Sequence, residues 1–187
     1  MFASPLLAQS SASSWFLPLT VADGNTRLKF EVDSTWHTVH GKVSGVMGEI
    51  KLQEAEDPTS IQAHLEFPVQ AFDTDNSSRD SRLREVMAEQ EFPVVVFDAN
   101  GLKRSCTPAL VLRDGECRDE LTGKLKIRAV SKEVVVPIVI SGNPTGFHVR
   151  GEFSINWPEF GVEDPSILIA SVDPVVVVHF QVDLLRG

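Results

Sequence analysis

The stretch that decides the fold runs from Phe72 to Phe97 and reads FDTDNSSRDSRLREVMAEQEFPVVVF. Its middle part is charged and has the period of a helix, because Leu83, Val86 and Met87 fall at i, i+3 and i+4. Strand-like sequence surrounds it on both sides. One short helix is therefore predicted inside a chain that otherwise consists of strands.

The start of this helix carries capping signals. Ser77 or Ser78 is predicted to cap the first amides. Asp80 then lies in the first turn, where a carboxylate suits the helix dipole. Leu83, Val86 and Met87 form an apolar stripe on this helix. The stripe is compatible with a lid over the open end of a barrel, and equally with packing against the outside of a sheet.

Strand patterns account for most of the remaining sequence. Apolar and polar residues alternate in four stretches: Leu28–Val32, Ile61–Val69, Leu121–Ala129 and Phe147–Ile155. Three more runs are apolar on both faces and rich in β-branched residues: Val94–Phe97, Val134–Ile140 and Val175–Val178. Pro137, within one of these runs, indicates a sheet edge, a bulge or the end of a pairing.

These strands are short and separated by Gly, Asn, Asp and Pro turn signals, which predicts an all-β, antiparallel fold. A sandwich and a barrel both satisfy the pattern. The helix favours a barrel of eight or slightly more strands, with that helix covering an open end.

Composition narrows the class of protein. With 187 residues, 42% of them hydrophobic, the chain can build one core. A formal net charge of −9 argues against a nucleic-acid partner. No run approaches the roughly 20 apolar residues of a membrane-spanning helix. Residues 1–25 are interpreted as an N-terminal segment, partly disordered or the remnant of a signal peptide, with a possible first strand, and residues 26–187 as the barrel domain.

The N-terminal segment and the two cysteines bear on location. The first residues have the small-residue texture of a signal-peptide cleavage site but lack its basic region. A periplasmic or secreted location is expected, with a cytoplasmic one as the alternative. Cys106 and Cys117 flank an apolar run and a turn, which suits either a disulfide or two free thiols.

Motifs for catalysis and for metal binding are missing from the sequence. The histidines do not have the spacing of a zinc site. There is no nucleophile elbow, P-loop or dinucleotide-binding glycine motif. The sequence is therefore interpreted as that of a protein without catalytic activity, metal or cofactor.

Several pieces of sequence together resemble one family. They begin at LKFEVDSTWHTVHG, from Leu28 to Gly41, and are most specific at DTDN, from Asp73 to Asn76, and at FPVVVF, from Phe92 to Phe97. In this order they resemble the YceI-like family of lipocalin-shaped, polyisoprenoid-binding proteins, over roughly residues 26 to 183. The chain departs from the family pattern at three positions, namely Arg82, Ala129 and Trp157.

This resemblance implies a barrel whose interior holds a long isoprenoid chain, of the polyprenyl phosphate or quinone type, for transport or storage. Each methylene that moves from water into such an interior contributes about 0.8 kcal/mol. The candidate wall and lid residues are Phe67, Phe97, Phe153, Phe160, Phe180, Leu83 and Met87. Arg79 and Arg82 are candidates for the polar head group, and for Arg79 an ion pair with Asp75 or Asp80 is the alternative.

Two other hypotheses remain open at the level of sequence. The first is a lipocalin-shaped enzyme for an isoprenoid or unsaturated lipid, which needs His64, His148 or His179 inside the barrel. The second is an interaction module, for example a homodimer, in which the doubly apolar strands form the interface.

Overall fold

The computed structural model describes residues 19–52, 57, 60–104, 106–143, 145–166 and 171–185. The described residues form one antiparallel sheet of eleven strands in the order β1-β4-β5-β7-β8-β9-β10-β11-β2-β3-β6. The strands are β1 Leu19–Val21, β2 Thr26–Ser34, β3 Thr38–Val43, β4 Met47–Leu52, β5 Ile61–Pro68, β6 Phe72–Asp73, β7 Val94–Leu102, β8 Glu116–Ile127, β9 Val130–Asn143, β10 Gly146–Asn156 and β11 Val172–Leu185. The helices are α1 Ser77–Val86 and α2 Pro108–Asp114, with 3-10 turns at Val69–Ala71 and Trp157–Phe160.

The sheet curls because its two margins are joined by the chain itself. β3 and β4 lie next to the short edge strands β6 and β1, at opposite margins of the sheet. Only Ser44–Val46 lie between them in sequence, and so few residues span at most about 14 Å. The margins must therefore approach each other, and the result is a curled, half-closed barrel. The prediction of an all-β, antiparallel, lipocalin-like fold is confirmed.

The lid helix begins one residue earlier than the sequence predicted. Asn76 is the N-cap: its backbone is extended and its side chain accepts a hydrogen bond from the Arg79 amide at 3.1 Å. Ser77 and Ser78 are already helical, so the prediction that one of them caps the helix was wrong. Asp80 lies in the first turn as expected, and it is buried.

Pro137 marks the end of a pairing, which is one of the three alternatives that the sequence left open. β9 pairs with β8 along its length, from Val130 onwards. On its other side, the register of β9 with β10 begins at Ile138, opposite Gly151. The part of β9 from Val130 to Pro137 is therefore not paired with β10. Pro137 has no amide hydrogen, so it cannot donate a backbone hydrogen bond to that strand.

Glycines facing the interior allow aromatic rings to lie flat against the sheet. Gly41 is opposite Phe30 and Gly151 is opposite Phe180 in the register. A Cβ atom at Gly151 would lie 2.5 Å from the Phe180 ring, and a Cβ at Gly41 would overlap the Phe30 ring. Gly142 is likewise opposite Phe147, and a Cβ at Gly123 would lie 2.8 Å from the Phe97 ring. Each ring thus packs closely against the wall at a position where a larger residue than glycine would clash with it.

The second helix, α2, lies in a loop that the disulfide closes. Cys106 and Cys117 are bonded, with Cα atoms 6.0 Å apart. Thr107 caps the helix, and it ends at Gly115 in the left-handed conformation. The buried Asp119 carboxylate accepts hydrogen bonds from the Cys106 amide at 3.0 Å and the Arg104 amide at 2.7 Å. The cysteine loop is thus fixed by a covalent bond and by a carboxylate.

Residues 1–18 lie outside the described part of the chain. The division into an N-terminal segment, residues 1–25, and a barrel domain, residues 26–187, stays a prediction.

Candidate functional site

The interior contains two apolar clusters that meet along a shared set of side chains. One cluster centres on residues of β7, β8 and β9, and the other on residues of β2, β3 and β11. Eight partly exposed residues contact both, and we call them the interior seam: Ile50, Leu65, Phe67, Phe72, Val149, Phe153, Ile155 and Phe180. Protein interiors are normally close-packed, so apolar interior residues that keep accessible surface are candidates for contact with a ligand.

The orientation of the seam follows from strand alternation. Leu65 lies between the outward-facing His64 and Glu66 on β5, and Phe153 lies between exposed neighbours on β10. Phe153 packs edge to face with Phe180, with ring centroids 6.5 Å apart. The seam is therefore an apolar strip in the interior, bordered by aromatic rings.

The lid helix α1 spans the two clusters. Leu83 packs against the cluster of β2, β3 and β11, and Met87, just after the helix, packs against the other cluster. Both side chains remain partly exposed. The apolar stripe predicted from sequence thus bridges the two halves of the interior.

The structure places the five candidate phenylalanines in two groups. Phe67, Phe153 and Phe180 belong to the interior seam. Phe97 is buried within the cluster of β7, β8 and β9. Phe160 is buried in the same cluster, and the Lys132 ammonium lies 5.8 Å from the centroid of its ring. The role of all five as ligand contacts stays a prediction.

Arg79 holds the backbone that leads into the lid. Its Nε donates to Thr74 Oγ1 at 2.8 Å and its Nη2 donates to the Thr74 carbonyl at 2.5 Å. Thr74 in turn donates to Asp80 from its amide and its hydroxyl. Arg79 and Asp80 are therefore linked through Thr74 in one hydrogen-bonded network.

Arg82 and Arg84 lie on the exposed side of the lid. Arg82 pairs with Glu85 at 2.9 Å and donates to the Asp164 carbonyl at 3.4 Å. Arg84 pairs with Glu89 at 3.7 Å. Exposed pairs of this kind contribute little to stability and exchange easily.

The histidines that an enzyme would need in the interior all project outward. His64, His148 and His179 alternate along their strands with inward-facing apolar residues. His64 lies 2.6 Å from Asp98 and 3.3 Å from Glu66, and its pKa is raised, chiefly by the hydrogen bond with Asp98. The enzyme hypothesis therefore loses the titratable groups on which it depended. Within the described ranges, no group of three or more His, Cys, Asp or Glu side chains is arranged to hold a metal ion.

Two grooves lie on the outer face of the sheet. One, of about 530 Å³, crosses β8, β9, β10, β11 and β2. The other, of about 250 Å³, lies over β4, β5 and β7 beside His64. Most of the residues that line both grooves are polar, and Phe180 of the interior seam also lines the larger one.

A curled antiparallel sheet with a lid helix and an apolar interior is the architecture of lipocalin-like binding proteins. The model of the YceI-like domain family matches residues 19–184, and the chain belongs to this family. Among the curated proteins, none matches the chain.

Solved structures support the assignment of the fold. The chain is similar to BcnA from Burkholderia cenocepacia, with a TM-score of 0.71 and 16% identity over 84% of this chain and 95% of that one. It is similar to a polyisoprenoid binding domain from Saccharophagus degradans, with a TM-score of 0.71 and 14% identity over 91% of this chain and 98% of that one. A YceI protein from Campylobacter jejuni has a TM-score of 0.65 and 16% identity over 80% and 85% of the two chains.

In the described part of the chain, no helix has both the length and the apolar character needed to cross a membrane.

Sequence reasoning missed five of the eight seam residues, namely Ile50, Leu65, Phe72, Val149 and Ile155. Leu65 and Ile155 stood on the apolar faces of predicted strands, so alternation placed them inside. Whether a residue contacts both clusters depends on how the sheet curls. The alternation of apolar and polar residues within a strand does not predict that curl.

Proposed function

We propose that the protein is a non-catalytic carrier or store for a long-chain isoprenoid lipid, which binds along the interior seam beneath α1. The observation that carries the proposal is the seam itself: eight apolar residues that touch both clusters and remain partly exposed, together with Leu83 and Met87, which pack against the same clusters. The similar domain from Saccharophagus degradans, described as polyisoprenoid-binding, supports the same ligand class.

The energetics favour a long and slender ligand. Burial of each methylene contributes about 0.8 kcal/mol, so a few isoprene units offset the cost of ordering a flexible chain. Seam residues such as Phe153 and Phe180 offer apolar contacts without hydroxyl groups, and the chain contains no Tyr. A ligand in this position would contact both clusters, against which Leu83 and Met87 also pack.

The head group is proposed to meet Arg82. Its pair with Glu85 is exposed, so its guanidinium can exchange a carboxylate for a phosphate at little cost. Arg79 is a weaker candidate because Thr74 already accepts from its Nε and one Nη.

Extraction of the purified protein with organic solvent, followed by mass spectrometry, tests the proposal. We expect an isoprenoid that is absent from an unrelated protein purified in parallel. Val149→Phe adds bulk at the seam and should remove most of the lipid, whereas Val135→Phe makes the same change at an outward-facing position that is 45% exposed. Purified protein without lipid, which also fails to take up a polyprenyl phosphate in solution, would refute the proposal.

We also propose a periplasmic or secreted location. The bond between Cys106 and Cys117 supports it, because structural disulfides persist in oxidising compartments. Fractionation of the native cells, with thiol labelling before and after reduction, tests this location. Recovery in the cytoplasm with both thiols reduced would contradict it.

A further inference from the structure

The outer face of the sheet carries a basic groove that the interior seam does not explain. We call it the outer groove, and it has a volume of about 530 Å³. Five neighbouring strands, β8, β9, β10, β11 and β2, contribute one residue each to a row in register: Arg118, Val139, Arg150, Gln181 and Arg27. A second row beside it contains Glu120, Pro137, Glu152, His179 and Lys29.

The charge of the outer groove opposes that of the whole chain. Its walls hold five Arg and Lys side chains against three Asp and Glu side chains, whereas the formal net charge of the protein is −9. One of the three acids, Asp119, is buried and accepts hydrogen bonds from backbone amides. The accessible surface of the groove is therefore a local region of positive charge on an acidic protein.

The cations are incompletely neutralised by their neighbours. Arg118 and Arg150 share a single carboxylate, that of Glu116, at 3.3 and 3.2 Å. Arg27 and Lys29 form no salt bridge with any described residue. Each guanidinium has five N–H donors, so most of the donors in this row are not used within the described structure.

A polar atom in the same wall also lacks a partner. His179 Nδ1 lies 3.2 Å from Glu152, while His179 Nε2 is the one buried side-chain nitrogen or oxygen of the described residues with no hydrogen bond. Buried polar atoms are normally paired. A ligand that rearranges the side chains over His179 would supply the missing partner.

The spacing of the arginines indicates the shape of the ligand. Arg118, Arg150 and Arg27 stand on every second strand, so their Cα atoms repeat at about 9.5 Å and the row extends about 19 Å. Val139 and Gln181 lie between them. A long ligand with acidic groups at regular intervals fits this row better than a single small anion does.

We propose that the outer groove binds an acidic oligosaccharide. Planar guanidinium groups bind carboxylates or sulfates through paired hydrogen bonds, and the apolar surface of Val139 and Pro137 suits the C–H faces of sugar rings. At the centre of this row β9, β10 and β11 are already paired on both sides, so a peptide cannot bind over them as an added strand. Of the described residues that line the groove, the aromatic ones are His179, which lies beside Glu152, and Phe180 of the interior seam, so the bases of a single-stranded nucleic acid would find no row of exposed rings on which to stack.

Isothermal titration of the full chain at low salt with a homopolymeric uronate hexasaccharide tests the proposal. We expect measurable binding that weakens as salt is added, and no binding of the same hexasaccharide after its carboxyl groups are reduced. The double variant Arg27→Gln/Arg150→Gln should lose affinity about tenfold or more. Lys126→Gln removes one positive charge from an exposed, outward-facing position elsewhere on β8, and should leave the affinity within about twofold.

Three results would overturn the proposal. They are the absence of binding to the unmodified chain, an equal loss in the Lys126→Gln variant, and tighter binding of hexaglutamate or of an oligodeoxynucleotide than of the uronate. The amount of co-purified lipid should be unchanged in the double variant, since neither Arg27 nor Arg150 belongs to the interior seam. A failure here is thus distinguishable from a failure of the proposed lipid function.

Discussion

At the scale of single residues, Asp80 connects the lid to the sheet. Its carboxylate is buried and accepts from the Thr74 amide at 2.9 Å and from the Thr74 hydroxyl at 2.5 Å. Thr74 also receives the Arg79 guanidinium, so one small network fixes the chain between β6 and α1. The sequence indicated Asp80 only as an acid near the start of the helix. In the structure it also anchors the segment that leads into the helix, through its hydrogen bonds with Thr74.

We expect Asp80→Ala to lower the free energy of unfolding by about 1–3 kcal/mol, because it leaves the buried Thr74 amide without an acceptor. Urea denaturation measures this loss, and hydrogen exchange should show faster exchange in α1. Glu85→Ala is the matched control: it removes an exposed acid from the same helix and should cost no more than about 0.5 kcal/mol. Equal losses in the two variants would show that the network does not fix the lid.

At the scale of elements, contacts between rings and glycines shape the interior. The three atoms nearest to a Cβ built at Gly41 all belong to the Phe30 ring, which also packs against Phe72 with ring centroids 5.8 Å apart. Phe72 is part of the interior seam. The absence of a side chain on β3 therefore determines where a ring of β2 lies, and through it the width of the interior.

A double-mutant cycle on Gly41 and Phe30 tests this relation. Gly41→Ala alone should destabilise the protein by about 1–3 kcal/mol through overpacking. In the background of Phe30→Leu, which removes the clashing ring atoms, the same substitution should cost much less, with a coupling of about 1–3 kcal/mol. Gly24→Ala is the control, because no atom lies within 4 Å of its added Cβ, and it should change stability by less than about 0.5 kcal/mol. Additive effects would contradict the assignment.

Strand patterns were predictable because alternation is local. Ile61–Pro68 and Gly146–Asn156 are strands where the sequence predicted them, with the expected inward faces. The helix α2 was missed, although Thr107, Pro108 and Gly115 form a start and stop signal that the apolar run between the cysteines concealed. The end of the β9–β10 pairing and the interior seam depend on sheet curl and long-range register. Neither is present in any short stretch of sequence.

At the scale of the whole molecule, the two proposed sites use alternate side chains of one curled sheet. Inward-facing residues provide the apolar seam, and outward-facing residues of the same strands provide the basic row with Arg27 and Arg150. Because successive side chains of a strand point to opposite faces, one stretch of chain serves both surfaces. The proposed lipid and oligosaccharide sites can therefore vary independently in sequence.

The length of the interior should limit the length of the lipid. For a series of isoprenoid alcohols of increasing length, we expect the affinity of lipid-free protein to rise about fourfold for each methylene that becomes buried, because burial contributes about 0.8 kcal/mol. The rise should stop when the tail outgrows the interior. Thermal unfolding measures it, since a ligand that binds only the folded protein raises the midpoint by an amount that grows with the logarithm of its affinity.

The position of that plateau separates binding along the seam from adsorption on the surface. Val149→Phe shortens the space along the seam, so its plateau should fall at a shorter lipid, while Val135→Phe on the outer face should leave the plateau of the unmodified protein unchanged. Adsorption to exposed apolar side chains has no internal limit, so it predicts a continuous rise and no difference between the variants. A plateau that moves only with the inward-facing substitution requires a ligand that ends inside the molecule.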